Sequence, residues 1–336
     1  MSIIKLNKAS YHHNIKQIAL KTKNIKNIIC VLKNNAYGHG IHLIAPEAKN
    51  LGIDFIALKN EEEAYEIKEL FSNILILSHI PNGKENNHFI YAVNSINDLY
   101  KFKKGTKIHL AIDTGMHRNG ILMDDLEYAF VNSYKLGLII DGIFTHFMGA
   151  DELDSSFFIQ KKRFEFIKIE AKALAKDFKL NRFIIHSHNS SALFRCDTFP
   201  QDEFCRIGLA QFGYCEFGSN LKKVLSLFAH RLSNRILYQN QNLGYGAIFK
   251  AEQELKIATY DLGYADGLLR FDGKKDLILE NGYKLLGKMS MDSFSCEDFG
   301  EELCVFKDAN IWARFFNTIE YEILAKLSSK IKRIWI

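Results

Sequence analysis

Short apolar, β-branched runs alternate with longer amphipathic stretches along residues 27–213 of this 336-residue chain. Strands buried on both faces read as continuous apolar runs, and the helices that connect parallel strands carry apolar residues at three- and four-residue spacing. Glu61 to Phe71 and Ser155 to Phe178 show that helical spacing. The alternation therefore predicts an α/β arrangement of parallel strands joined by helices.

Eight segments have the character of such strands. They are Ile28 to Lys33, Phe55 to Leu58, Ile74 to Ser78, Tyr91 to Asn94, Lys107 to Asp113, Leu138 to His146, Phe183 to His188, and Phe204 to Phe212. An open, doubly wound sheet would show the same alternation, but the strand count and the position of the motifs described below favour a (β/α)8 barrel of the TIM type. In such a barrel, functional side chains lie at the carboxyl ends of strands and in the loops that follow them.

The pattern changes after about Leu221 to short strand-like pieces separated by turn-forming pairs such as Asp272-Gly and Asn281-Gly. This change predicts a second domain that is mostly β. We therefore expect a barrel over residues 1–221 and a C-terminal β domain over residues 222–336.

The composition is that of an ordinary globular protein, with 47% hydrophobic and 25% charged residues. The net charge of +5 is spread along the chain without a dense basic tract, so nucleic acid is not an expected partner. No stretch approaches the roughly 20 apolar residues of a membrane-spanning helix, so a membrane is not expected either. The N-terminus lacks the apolar core of a signal peptide, which predicts a cytoplasmic protein. The six cysteines form no CxxC pair, so we expect reduced, structural thiols and no metal site.

Lys33 ends the first predicted strand and opens the motif VLKNNAYGHG, residues 31–40. A lysine is costly to bury because its ammonium must lose either water or its proton, so a lysine at the mouth of a buried strand suggests a reactive amine that forms Schiff bases. A single lysine at a strand end more often points into solvent. The interpretation therefore depends on the whole motif.

That motif resembles the pyridoxal-phosphate lysine motif of alanine racemases, and Asn35 to Gly40 match it residue for residue. Further matches extend over nearly the whole chain. The resemblance implies a homodimeric enzyme that interconverts L- and D-alanine, with pyridoxal phosphate attached to Lys33 and active sites shared between the subunits. It also implies a role in supplying D-alanine for peptidoglycan.

Racemisation needs an acid or base on each face of the planar carbanion. The resemblance implies that Lys33 serves one face and that Tyr245, in the sequence Gly-Tyr-Gly-Ala, serves the other from the partner chain. It further implies that Arg206 faces the pyridine nitrogen and that His146 links Tyr245 to Arg206. Arg333 is a further expected neighbour of Tyr245.

The resemblance also implies two larger sets of residues, each of which would be a weak indication if taken singly. The cofactor is expected to contact Lys33, Tyr37, His146, Asn189, Ser190, Arg206, Gly208, Leu209 and Tyr321. The substrate is expected to contact Arg118, Tyr264, Met291 and Asp292.

One position departs from the family pattern. Many alanine racemases have a carbamylated lysine seven positions before the arginine that Arg118 matches, whereas this chain has Ala111. The usual anionic partner of that arginine is therefore missing, and Arg118 must find another, such as a bound anion or a polar neighbour.

Two other readings share much of this sequence pattern. A racemase of broader specificity, acting on serine or lysine, would keep the same machinery and differ in the side-chain pocket. A nonenzymatic pyridoxal-phosphate carrier would resemble only the barrel, so the long C-terminal segment with Tyr245 and Met291-Asp292 argues against it.

Overall fold

The computed structural model describes residues 1–336, whose contacts form two compact units. We call His12–Asn34 together with Ile44–Lys222 the barrel unit. The β unit comprises Met1–Tyr11, Asn35–Leu43 and Lys223–Ile336. Each unit is therefore assembled from separate stretches of the chain.

The barrel unit is built on one parallel sheet. The first strand of the chain, β1 (Ile3–Leu6), belongs to the β unit, and the next nine form the barrel sheet: β2 (Ile28–Val31), β3 (Phe55–Leu58), β4 (Asn73–Ile76), β5 (Ile90–Val93), β6 (Lys107–Asp113), β7 (Ile121–Leu122), β8 (Ile139–Phe144), β9 (Ile184–His186) and β10 (Cys205–Ile207). Their order is β10-β2-β3-β4-β5-β6-β8-β9, and β7 pairs with β6. A bridge between His186 and Phe204 brings the two ends of the sheet together. The predicted barrel is confirmed.

Every residue of β2, β3 and β5 is buried. A barrel strand has one face toward the interior and the other toward the surrounding helices, so both faces are dry. This explains why these strands read as continuous apolar runs in the sequence. No helix of the structure has the length and apolar character required to cross a membrane.

The helices of the first 222 residues differ widely in length. They are α1 (Lys8–Thr22), α2 (Lys33–Tyr37), α3 (Ile41–Asn50), α4 (Glu61–Tyr65), α5 (Leu126–Lys135), α6 (Ser156–Asp177) and α7 (Ser190–Arg195). Helix α6 agrees with its prediction to within one residue at each end. Helix α4 is shorter than predicted, because Ile67 leaves helical geometry at φ −134° and ψ 11° and a separate 3-10 turn follows at Lys68–Leu70.

The β unit is a mostly antiparallel sheet with two short helices. Its elements are β11 (Leu225–Leu237), β12 (Asn242–Leu243), β13 (Phe249–Lys250), β14 (Leu255–Tyr260), β15 (Leu285–Leu286), β16 (Phe294–Glu297), β17 (Glu302–Phe306), α8 (Ala309–Phe315), α9 (Glu320–Ala325) and β18 (Lys332–Trp335). The strand order is β15-β16-β14-β11-β1-β18, with β17 also on β11 and β12-β13 as a separate pair. The predicted mostly β second domain is confirmed.

Most predicted strands differ from the observed ones by one or two residues at their ends, and two larger differences concern β10 and the N-terminus. The last predicted barrel strand, Phe204 to Phe212, is wrong beyond Ile207, because Gly208 turns the backbone at φ −97° and ψ −102° and a 3-10 turn covers Leu209–Phe212. The assignment of residues 1–221 to the barrel also differs from the observed grouping. Strand β1 pairs with β11 and β18, so the N-terminus lies in the sheet of the β unit.

Candidate active site

Lys33 lies two residues beyond the end of β2, at the carboxyl end of the barrel strands, and is half-buried. Burial lowers the pKa of its ammonium, the charge of Arg118 lowers it further, and Glu63 acts in the opposite direction. Glu63 itself is held by the backbone, since its carboxylate accepts from the Asn34 and Lys59 N–H groups at 2.6 and 2.9 Å. Lys33 therefore loses its proton to form the free amine more readily than an ordinary surface lysine does.

The backbone that follows Lys33 is left-handed. Four consecutive residues, Asn34–Tyr37, have φ between 52° and 54°. This conformation costs an L-residue about 1–2 kcal/mol, and asparagine tolerates it better than most. Asn35 also closes the turn, because its side-chain oxygen accepts from Ile41 N at 2.8 Å and its carbonyl accepts from Gly40 N at 2.9 Å. The motif thus specifies a strained backbone directly after Lys33.

Three cations surround His146 in the barrel unit. Burial lowers the pKa of His146 to about 3, and the charges of Arg206, Arg118 and Lys33 add to the effect. The imidazole is therefore neutral at physiological pH. These charge interactions connect four residues predicted from separate motifs of the sequence.

Arg206 lies on β10, is only 5% exposed and donates to several groups around it. Its Nη2 donates to the Thr145 carbonyl at 2.7 Å and to His146 Nδ1 at 3.4 Å, and its Nη1 donates to His186 Nδ1 at 2.7 Å. Burial lowers the pKa of the guanidinium to about 10, so it stays charged at neutral pH. All of its hydrogen bonds run through Nη1 and Nη2, which leaves the Nε–H without an acceptor in the protein.

A buried chain of histidines extends from Arg206 through the barrel interior. Because Arg206 donates to His186 Nδ1, the proton of His186 lies on Nε2 and is donated to His109 Nδ1 at 2.8 Å. The proton of His109 then lies on Nε2, which is 3.4 Å from the Asp141 carboxylate. Burial lowers the pKa of both histidines, so both are neutral. The chain fixes the position of the Arg206 guanidinium.

His109, His186 and Asp141 are not among the residues predicted from the sequence. The two histidines were visible inside predicted apolar strands, where an uncharged ring is tolerated only with hydrogen-bond partners. Their pairing, however, depends on which strands are neighbours across the barrel, and sequence spacing does not give that.

Ser190 and its neighbours lie in the last two loops of the barrel. The Ser190 hydroxyl accepts from the Gly208 and Ala210 N–H groups at 3.2 and 3.3 Å. Asn189 caps α7 by accepting from Ala192 N at 2.9 Å, and Leu209 begins the 3-10 turn after Gly208. Hydroxyl and backbone N–H groups thus converge at the barrel end where phosphate groups bind in many barrel proteins.

Arg118 lies in the loop after β6, is exposed, and makes no salt bridge within the chain. Ala111, on β6, is buried and lies seven positions before Arg118, so this chain has no carbamylated lysine at that position. The positive charge of Arg118 instead contributes to lowering the pKa values of Lys33 and His146. The site is therefore rich in positive charge and lacks an internal anion for Arg118.

Tyr37, Gly38 and Gly40 pack within the β unit. The Tyr37 and Tyr321 rings meet edge to face, with 5.8 Å between their centroids. Gly38 has φ +78°, and a Cβ there would lie 1.9 Å from the Leu324 carbonyl oxygen. Arg333 also stabilises this segment, since its Nε donates to the Gly38 carbonyl at 2.9 Å. The glycines of the lysine motif are thus required by close backbone packing.

Tyr245 is 64% exposed and opens a short turn between β12 and β13. Gly244 and Gly246 have φ values of +73° and +70°, which lets the chain reverse tightly around the tyrosine. Tyr264 and Met291 are also exposed and lie in neighbouring loops, because Ala265 N donates to the Met291 carbonyl at 2.9 Å. The exposed Asp292 follows Met291 directly. These residues form no enclosed site within the β unit.

The comparisons with known proteins agree over the full length of the chain. It matches the family "Alanine racemase, N-terminal domain" over residues 6–216 and "Alanine racemase, C-terminal domain" over residues 224–335. It is 57% identical over 336 residues to an alanine racemase of Campylobacter jejuni, covering 100% of both chains. The chain belongs to the alanine racemase family. It is therefore an enzyme, an isomerase that racemises an amino acid.

Solved structures of alanine racemases have the same fold. The Bacillus anthracis enzyme with bound L-Ala-P is 25% identical, with a TM-score of 0.87 over 100% of this chain and 95% of that one. The Bartonella henselae alanine racemase, which carries covalently bound pyridoxal phosphate, is 25% identical with a TM-score of 0.80 over 100% and 99% of the two chains. The alanine racemase fold thus accounts for both units.

Proposed function

We propose that this alanine racemase interconverts L- and D-alanine with pyridoxal phosphate held on Lys33, using Lys33 and Tyr245 of the partner subunit as its two bases. The observation that carries the proposal is the position of the Lys33 amine, half-buried at the end of β2 among Arg118, His146 and Arg206. Burial and a neighbouring cation are the two effects that make a lysine amine nucleophilic near neutral pH.

The residues at the barrel mouth fit this cofactor. Arg206 has an unused Nε–H to donate to a ring nitrogen, and being permanently protonated it cannot pass a proton to that nitrogen. The Ser190 hydroxyl accepts from the Gly208 and Ala210 amides, so its own proton is free to be donated to a phosphate. Asn189, Leu209, Tyr37 and Tyr321 complete the proposed binding set. When bound, the cofactor supplies the electron sink that makes the α-proton of an amino acid removable.

His146 has the protonation state needed to act on a phenol. Because Arg206 Nη2 is a donor, His146 Nδ1 accepts, and the single proton of the neutral ring lies on Nε2. An Nε2–H can donate to a phenolate oxygen and so favours the basic form of a tyrosine. We propose that Tyr245 of the partner subunit is that tyrosine.

Substrate binding is assigned to Arg118 and to a set of exposed residues of the β unit. Arg118 has no internal carboxylate partner, so its guanidinium is available to the carboxylate of alanine. Tyr264, Met291 and Asp292 are proposed to contact the substrate from the partner subunit. Each is exposed within its own chain, as such a role requires.

A homodimer is supported by the apolar surface of the β unit. Large apolar side chains are exposed along residues 232–248, the stretch that includes the turn with Tyr245, namely Leu232, Ile236, Tyr238, Tyr245 and Ile248. Exposed apolar side chains that form a contiguous patch mark interaction surfaces. The cytoplasmic location and the supply of D-alanine for peptidoglycan stay predictions from the sequence.

The proposal is tested by borohydride reduction of the holoenzyme, followed by peptide mapping and an assay of D-alanine formation. We expect the reduced adduct on Lys33 and loss of both adduct and racemisation in Lys33→Ala. Lys59→Ala is the matched control, because Lys59 is an exposed lysine whose charge also acts on Lys33. An adduct on another lysine would contradict the assignment.

A further inference from the structure

Cys196 directly follows α7 and lies beside a polar cluster that the racemase reaction does not use. It is half-buried and packs against an apolar group formed by Phe147, Ala150, Phe157 and Ala192. Its local sequence predicts a structural thiol like the other five cysteines, since nothing in that sequence distinguishes Cys196. Its surroundings in the fold are different from theirs.

The polar cluster consists of His188, Ser187, Glu203 and Lys168, all of them buried. The Ser187 hydroxyl donates to Glu203 Oε2 at 2.5 Å, and Lys168 Nζ lies 2.9 Å from Glu203 Oε1. Since the Ser187 proton is directed to Glu203, its oxygen accepts from His188 Nδ1, 2.8 Å away. His188 is therefore protonated on Nδ1 and oriented by a buried carboxylate.

The other nitrogen of His188 has no hydrogen-bond partner. His188 is 1% exposed, and its Nε2 is buried without an acceptor or donor in hydrogen-bond geometry. The Cys196 thiol lies against this ring. With Nδ1 already protonated, Nε2 is the lone-pair side of the neutral imidazole, so it can take the proton of the thiol.

Lysines complete the surroundings of the sulfur. Lys161 Nζ lies 3.6 Å from Cys196 Sγ, and Lys21 Nζ donates to the Cys196 carbonyl at 3.4 Å. The neighbouring Arg195 is directed instead to the carbonyls of Gly149 and Glu152. The Cys196 sulfur thus faces one imidazole and one ammonium.

The acid–base properties agree with this geometry. Burial alone would raise the pKa of the Cys196 thiol, but His188 and Lys161 lower it below its usual value. Burial would likewise lower the pKa of His188, but Cys196 and Glu203 raise it. Cys215 and Cys304 are also half-buried, and burial raises the pKa of both thiols. Cys196 is therefore distinguished among thiols of similar exposure.

We propose that Cys196, activated by His188, Glu203 and Lys161, is a nucleophilic thiol site that hydroperoxides oxidise to a sulfenic acid and that small electrophiles alkylate. With hydrogen peroxide, the thiolate sulfur attacks one oxygen, an S–O bond forms and the O–O bond breaks. The sulfur loses two electrons, and the departing hydroxide takes the proton of the His188 imidazolium to become water. The proposal is independent of the racemase assignment.

The experiment compares the cysteines of the full-length holoenzyme with one another. The protein is treated with iodoacetamide for increasing times near pH 7, and each cysteine peptide is quantified by mass spectrometry. We expect Cys196 to be alkylated at least about tenfold faster than Cys215 and Cys304, with a rate that persists to lower pH. Equal rates at the three positions would overturn the proposal.

Variants distinguish activation of the Cys196 thiol by His188 and Lys161 from a fast reaction that results only from exposure of the thiol. Lys161→Met and His188→Gln should each slow alkylation of Cys196 several-fold, whereas Lys162→Met, an adjacent exposed lysine, should leave the rate unchanged. Circular dichroism checks that each variant is folded, and Lys161→Met keeps the test decisive if His188→Gln is unstable. A folded Lys161→Met with an unchanged rate would contradict the assigned role of the ammonium.

The oxidation step is tested with dimedone, which labels sulfenic acids. After treatment of the protein with hydrogen peroxide, dimedone should label Cys196. Labelling only at other cysteines would overturn the oxidation step.

Discussion

The mouth of the barrel and the exposed loops of the β unit contain different kinds of functional residue. At the barrel mouth, Arg206 and His146 are fixed by buried hydrogen bonds and have strongly shifted pKa values. In the β unit, Tyr245 and Met291 are 64% and 54% exposed, and backbone turns alone position them. One half of the proposed site is preorganised within a single chain, and the other half is presented outward.

This difference has an energetic consequence. Buried charged and polar groups hold their positions only if surrounding hydrogen bonds compensate the lost hydration, as the His186 and His109 chain does for Arg206. An exposed phenol needs no such compensation, but it also lacks the environment that would make it a base. We therefore expect Tyr245 to acquire its function only when a second chain supplies that environment.

Removing the Lys33 amine should have the largest effect. Lys33→Ala removes both the proposed cofactor attachment and one of the two bases, so racemisation should fall at least about 10³-fold. Alanine racemisation is measured in both directions by chiral chromatography. Normal turnover in Lys33→Ala would contradict the role of the barrel mouth.

Removing the Tyr245 hydroxyl should have the next largest effect. Tyr245→Phe should reduce racemisation by about 10²–10⁴-fold because one face of the reacting carbon loses its base. The melting temperature should not change, because the side chain is largely exposed. Tyr134→Phe, at a comparably exposed tyrosine on α5, is the matched control and should retain full activity.

The packing of the lysine motif predicts a stability difference between two glycines. Gly38→Ala combines a left-handed backbone with a Cβ 1.9 Å from the Leu324 oxygen, so it should cost at least about 2 kcal/mol of unfolding free energy. Gly83 has a similar φ of +75° with open space around it, so Gly83→Ala should cost only about 1 kcal/mol. Urea denaturation measures both. Equal costs would show that the motif glycine is not required by packing.

The buried histidines predict how stability depends on pH. Burial lowers the pKa of His146 to about 3 and lowers those of His109 and His186, whereas an unfolded histidine titrates near 6.5. As pH falls below 6.5, the unfolded chain therefore binds protons that the folded chain does not, and the unfolding free energy falls. Each such histidine contributes about 1.4 kcal/mol per pH unit, and His188, whose pKa is raised, opposes them. Unfolding free energies that are equal at about pH 7, 6 and 5 would contradict this.

The sequence predicted some parts of the structure to the residue. Strands β3 and β6 have their predicted bounds: β3 is an apolar run flanked by Asp54 and Lys59, and β6 is a mostly apolar segment bounded by Lys107 and Asp113. The left-handed turn after Lys33 could not be predicted from propensity, since four consecutive non-glycine residues adopt a conformation that L-residues disfavour. It persists because the Asn35 side chain, which accepts from Ile41 N, and the close packing of Gly38 hold it in place.

The candidate site divides in the same way. Residues carried by motifs, such as Lys33, Arg118 and His146, were predictable one by one, and the structure brings their charges together. Arrangements that depend on strand order were not predictable. The His109–His186 pair joins residues 77 positions apart, and the activation of Cys196 depends on a histidine and a lysine of other elements.

The central claim is that an active site combines Lys33 of one chain with Tyr245 of the other, and subunit complementation tests it most directly. Lys33→Ala and Tyr245→Phe proteins, each nearly inactive alone, are mixed under conditions that allow subunit exchange, and D-alanine formation is assayed. We predict recovery of about a quarter of the wild-type activity, because half of the randomly formed dimers are hybrids with one intact site of two. If hybrid dimers form, as shown by differently tagged chains, and no activity returns, the shared site is contradicted.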